Sequence, residues 1–111
     1  MTEKALYQDA ELKVDYYGNH DEYGLWIRNA RLEAKGGSQE GNLNYMPRGV
    51  LEDLARTPRG EIVSKIETFN SKILFYLKEA RISVDALHVA ICQAYIEEEK
   101  RIEQFKNEHL L

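Results

Sequence analysis

One cysteine, Cys92, is the only thiol in this chain of 111 residues, so no internal disulfide can form. That usage fits a reducing compartment, and a cytoplasmic location is the expectation. Proline is nearly as scarce. Pro47 and Pro58 are its two occurrences, and after Gly60 neither proline nor glycine interrupts the chain. No apolar run approaches the length of a membrane span. The opening Met1-Thr2-Glu3-Lys4 has neither a basic n-region nor an apolar stretch, so no secretory leader is expected. An excess of positive charge is missing too: 15 basic against 19 acidic residues give a net charge of −4. Without a broad basic field, sequence-independent binding to nucleic acid is not the expected role. Phosphate-binding glycine loops, zinc-finger spacings and nucleophile elbows are also lacking. Ser64, Ser71 and Ser83 stand on or beside helices with no relay to activate them, so an enzyme is not expected.

What is present is enough for one modest domain, with 43% hydrophobic and 31% charged residues. The expected fold class is α+β. Residues 1–44 form the β-rich part, an N-terminal antiparallel β-hairpin or small sheet. A short helix occupies 45–56, and 58–111 form a long antiparallel C-terminal helical hairpin.

In the hairpin, Thr57-Pro58 opens the first helix, with proline at the position where its missing N–H costs nothing. Ile62, Ile66, Phe69, Ile73, Tyr76 and Ala80 then recur at spacings of four and three, a heptad-like seam. The turn is Ala80-Arg81-Ile82-Ser83. Ser83 is the N-cap of the second helix, Asp85 places a negative charge in its first turn, and Ile82 with Leu87 has the spacing of a hydrophobic staple. The second helix begins apolar at Val84, Leu87, Ile91 and Ala94. It turns polar at Glu97-Glu98-Glu99-Lys100-Arg101 and keeps only Ile102 and Phe105 at helical spacing. Its last turns are expected to overhang the body. The seam and the overhang together predict a homodimer or higher oligomer, with Ile66, Phe69, Ile73, Tyr76, Ile102 and Phe105 at the interface.

Upstream, Leu12, Val14 and Tyr16 alternate with Lys13, Asp15 and Tyr17, the period-2 signature of a half-buried strand. Gly18-Asn19-His20-Asp21 is turn chemistry. A second strand is expected from about Tyr23 to Ala34, with a bulge near Arg28-Asn29, because Leu25 and Ile27 are out of phase with Ala30, Leu32 and Ala34. Residues 1–9 read equally as helix or strand. A mobile loop follows from Gly36 to Asn42, and Val50, Leu51 and Leu54 give the short helix its apolar face.

Three constellations could carry chemistry. Pro47-Arg48-Gly49 and Pro58-Arg59-Gly60 each stand at a helix start, where free N–H groups and a guanidinium attract anions. If the two starts converge, Arg48 and Arg59 could hold a phosphate of a small nucleotide; the plainer account is two solvated arginines on connectors. Tyr16, Tyr17, Tyr23 and Trp26 gather around one turn, with Arg28 and His20 near. Tyr17, Trp26 and Arg28 are thus candidates for stacking on a base or anchoring a partner, unless the rings simply cover the helical layer. Asp85 and His88, at i and i+3, have the spacing of half a metal site in a helical bundle. A complete site needs further inward acids, so no metal is expected, and no cofactor.

These features predict a non-enzymatic binding protein: a small cytoplasmic regulator, inhibitor or accessory subunit acting through protein–protein contact as a homo-oligomer. The alternatives are an oligomeric binder of a nucleotide or other small phosphorylated ligand, and a helical metal-binding protein.

Overall fold

The computed structural model describes residues 3–18, 21–28 and 42–109. Its architecture is α+β: an N-terminal antiparallel sheet followed by helices, the last of them long. The strands are β1 (Glu3–Gln8), β2 (Leu12–Tyr17), β3 (Glu22–Ile27) and β4 (Asn42–Pro47), paired in the order β1-β2-β3-β4. The helices are α1 (Arg48–Arg56), α2 (Ile62–Asn70), α3 (Lys72–Ala80) and α4 (Val84–His109), with a 3₁₀ turn at Arg59–Glu61.

The segment read as helix or strand is a strand. Its ambiguity has a cause: the register against β2 shifts between Ala5 and Tyr7. The bulge lets the adjacent Leu6 and Tyr7 both pack against the core, which breaks the alternation that marks a strand. The alternation expected of β2 and β3 holds. Leu12, Val14, Tyr23, Leu25 and Ile27 are buried on the face that meets the helices. The stretch beyond Arg28, including the expected bulge at Arg28-Asn29 and the loop from Gly36, lies almost wholly outside the described residues.

β4 is an element the sequence pattern conceals. Its inward positions are Asn44 and Met46, while Leu43 and Tyr45 alternate outward, so the apolar signal points both ways. α1 ends where expected, at Arg56, and buries Leu51 and Leu54, but it starts at Arg48 rather than 45, because residues 45–47 pair with β3 as the end of β4. Pro47 and Pro58 are not first helical residues but extended N-caps, the former ending β4. Thr57 does not cap the helix ahead of it. Its hydroxyl donates to the Asp53 carbonyl at 2.6 Å and closes the end of α1.

The expected first helix of the hairpin is two helices. At the break the Asn70 side chain accepts from the Lys72 N–H at 3.1 Å, and the Leu74 N–H bonds to the Ser71 carbonyl at 3.1 Å. Asparagine and serine compete with the helix ladder by such local bonds, and that was the available signal. The next turn forms as expected. Ser83 Oγ accepts from the Ala86 N–H at 3.0 Å, and Ile82 and Leu87 are both buried. Arg81, left-handed at φ 59°, makes a Schellman stop: Ile82 N–H to the Leu77 carbonyl at 2.9 Å and Arg81 N–H to that of Lys78 at 3.2 Å.

α4 packs on α1 and across β1 and β2, more than on α2 and α3. With 26 residues it runs about 39 Å at 1.5 Å per residue. Its last fully buried position is Glu98; Arg101 and Ile102 are half-buried, and residues 103–109 are exposed. The overhang is therefore real. The seam, however, is consumed within the protomer. Ile62, Ile66, Ile73 and Leu77 are buried in the core, and Phe69 and Tyr76 lie half-buried against it. Ile66 and Ile73 consequently have no surface to offer an interface. Of the six residues expected there, Phe105 is the one left fully exposed.

Candidate functional site

Alternation along β2 and β3 divides the aromatic cluster that the sequence places around one turn. Tyr16 and Tyr23 face the helices, and Tyr17 and Trp26 face away from them. The two sets do different things.

On the inner side, Tyr23 donates its hydroxyl to Glu98, a carboxylate with no exposed surface. Arg101 forks onto the same carboxylate, its Nη2 lying 3.1 Å from Oε2. The Arg101 guanidinium also stacks over the Tyr16 ring at 4.1 Å, and the Tyr16 and Tyr23 rings stand 5.3 Å apart. Burial, then the hydrogen bond to Glu98 and its negative charge, push the Tyr23 phenol far above the ordinary tyrosine range. Glu98 sits four residues beyond Ala94 and continues the stripe from Leu87 through Ile91. Position on the stripe, rather than residue type, was the signal that an acid in a charged run would be buried. Every oxygen of Glu98 has a partner, so the network locks α4 onto the sheet and offers nothing to a ligand.

On the outer side, Tyr17, Trp26, Leu43 and Tyr45 form a second apolar group that does not belong to the core. The Trp26 indole N–H donates to the Tyr17 hydroxyl at 3.2 Å, and the Tyr17 and Tyr45 rings meet edge-on at 5.8 Å. Gly24 makes this possible. A Cβ there would lie 2.5 Å from the Tyr17 ring and 2.8 Å from Leu43, so the ring rests on bare backbone. Beside Gly24 in the register is Asp15. Its side chain is 1% exposed; Lys13 Nζ lies 3.2 Å from Oδ2, and the Tyr17 hydroxyl donates weakly to the same oxygen at 3.5 Å. The other oxygen, Oδ1, is buried without a hydrogen-bond partner. Tyr45 stands 55% exposed at the rim.

The remaining candidates are dispersed. Arg48 starts α1 near enough to Tyr23 for its charge to act on that phenol, at the Glu98 end of the contact with α4, whereas Arg59 pairs with Asp85 in the first turn of the same helix, about 20 Å away at 1.5 Å per residue, so the two Pro-Arg-Gly starts do not converge. Arg59 is engaged by both carboxylate oxygens of Asp85. Arg28 is exposed just past β3, where its N–H donates to the Glu11 carbonyl at 2.8 Å. Asp85 pairs with Arg59, and among the described residues no three His, Cys, Asp or Glu side chains gather as metal ligands would. Cys92 donates to the Ala55 carbonyl at 3.4 Å, and burial raises its pKa, the condition of an inert thiol.

Compared with family models, with curated proteins and with solved structures, this chain matches none. Among the described residues, no helix is long and apolar enough to cross a membrane.

Proposed function

We propose that this chain is a non-enzymatic binding protein, a small cytoplasmic regulator, inhibitor or accessory subunit that acts by contact with another protein. The observation that carries this reading is the outer sheet face, where Tyr17, Trp26, Leu43 and Tyr45 are grouped although the core on the opposite face is already complete. Tyrosine and tryptophan held rigidly on a strand platform supply contact area at little cost in side-chain entropy, the property of interface anchors. The cytoplasmic setting rests on the lone, half-buried Cys92.

Self-association belongs to the same reading, on a surface other than the seam. Val89 and Ile96 lie seven residues apart on α4 at 52% and 53% exposure, and Phe105 follows at 55%. Ile96 also lines an open groove of about 440 Å³ against Leu6, Tyr7 and Gln8 of β1. The bulge in β1 disfavours pairing through that strand edge, which leaves the helix as the contact.

The two surfaces are tested separately. A partner captured by the wild-type protein and by Phe75→Asp, but lost with Tyr45→Asp, supports the outer face; equal capture by all three removes it. Sedimentation at micromolar concentration is expected to give at least a dimer for wild type and a monomer for Ile96→Asp. A strictly monomeric wild type would end the self-association reading.

A further inference from the structure

Asp15 is a costly choice for its position. Aspartate is poorly suited to a mid-strand site, and a buried carboxylate oxygen without a donor is unfavourable. Its neighbour Gly24 is costly as well, since glycine weakens a strand interior. Side by side they place an unsatisfied acceptor next to the bare backbone on which the Tyr17 ring rests, on a face that the core does not use. Lys13 does not resolve this, because its ammonium is bonded to Oδ2 and leaves Oδ1 bare. The missing group is a hydrogen-bond donor, and the surroundings choose its charge. Carboxylate and π faces both attract a cation, and a chain of net charge −4 favours a basic partner.

We propose that the outer sheet face receives a basic side chain of a partner protein, arginine or lysine, whose cation is taken by Asp15 beside the rings of Tyr17 and Trp26. This rests on the reading of that face as a protein-binding surface and adds the chemistry it selects. Lys13, with its side chain 35% exposed against 1% for Asp15, is the more accessible partner of the ion pair and moves aside as the incoming cation enters. In the free protein it acts as an internal stand-in for that cation.

Trp26 is the chain's single tryptophan, so its indole N–H resonance reports from the site alone. The probes are blocked tripeptides with a central arginine, lysine or citrulline, the last isosteric with arginine but uncharged. The arginine or the lysine peptide is expected to shift the Trp26 resonance saturably, and the comparison tells which of the two cations the face prefers; the citrulline peptide should not. Asp15→Asn should weaken binding at least tenfold, about 1.4 kcal/mol, while leaving stability to urea unchanged or improved. A purely structural ion pair would show the opposite, a loss of stability with no binding to lose. Lys13→Met keeps Asp15 and should tighten binding, so the proposal remains testable if Asp15→Asn does not fold. Equal response to arginine and citrulline, or no saturable shift in either the wild-type protein or Lys13→Met, overturns it. So does a protein partner captured through Tyr45 with undiminished affinity by Asp15→Asn, a result that leaves the outer face a binding surface and removes only the cation.

Discussion

Replacing Arg101 by methionine isolates the part of the fold that depends most on electrostatics. Glu98 has no exposed surface, and two partners satisfy its carboxylate: the Tyr23 hydroxyl and the Arg101 guanidinium. Methionine keeps much of the apolar stem but leaves a buried negative charge with one neutral donor. Breaking a buried pair in this way costs roughly 3–5 kcal/mol. Arg101 retains 26% side-chain exposure, which lets water reach the vacated site and favours the lower end, about 3 kcal/mol. The stacking on Tyr16 adds about 0.5–1 kcal/mol. For a domain of this size that is a fall in Tm of roughly 10–20 °C. Urea denaturation followed by Trp26 fluorescence and by far-ultraviolet circular dichroism measures it. The counter-experiment removes the charge as well: Glu98→Leu with Arg101→Met and Tyr23→Phe replaces the network by apolar groups and should recover most of the loss. A cost below about 1 kcal/mol for Arg101→Met would mean that the guanidinium is a surface group and the reasoning is wrong.

Three further outcomes are expected. Tyr23 holds its proton in the folded state above the ordinary tyrosine value of about 10, so this stabilisation is complete below pH 10 and is lost as pH rises towards the folded pKa. Urea midpoints between pH 8 and 11.5 should fall with a slope that Tyr23→Phe reduces by one proton, about 1.4 kcal/mol per pH unit; an unchanged slope would place the titration elsewhere. Arg81→Gly relieves a left-handed backbone at the Schellman stop and should raise stability by about 0.5–1 kcal/mol in the same assay. Gly24→Ala drives a methyl against the Tyr17 ring and should cost about 1–3 kcal/mol while changing Trp26 fluorescence, since the tyrosine whose hydroxyl accepts the indole N–H must move.

Much of the molecule follows from local chemistry. The strands β2 and β3, the short helix α1 and the stop-and-start at residues 80–83 each have a period, a cap or a turn residue that fixes them without reference to the rest of the chain. Tyr16, Tyr17, Tyr23 and Trp26 were visible as a group around one turn, and the pairing of β2 with β3 then sorted them onto two faces. The sequence by itself therefore determined the α+β class and the order of most elements. Tertiary structure decided what those surfaces are used for. It closed the seam from Ile62 to Ala80 into the protomer's own core, kept Arg48 near Tyr23, and joined Arg59 to Asp85. It also built β4 from a segment with little strand propensity, since β3 offered an edge to pair with. The burials of Glu98 and Asp15 belong to the same class. An acid in a charged run and an acid in an alternating strand look alike in one dimension. Only the packing of α4 across the sheet brought Glu98 its tyrosine, and only the folded sheet buried Asp15 with one oxygen left without a donor.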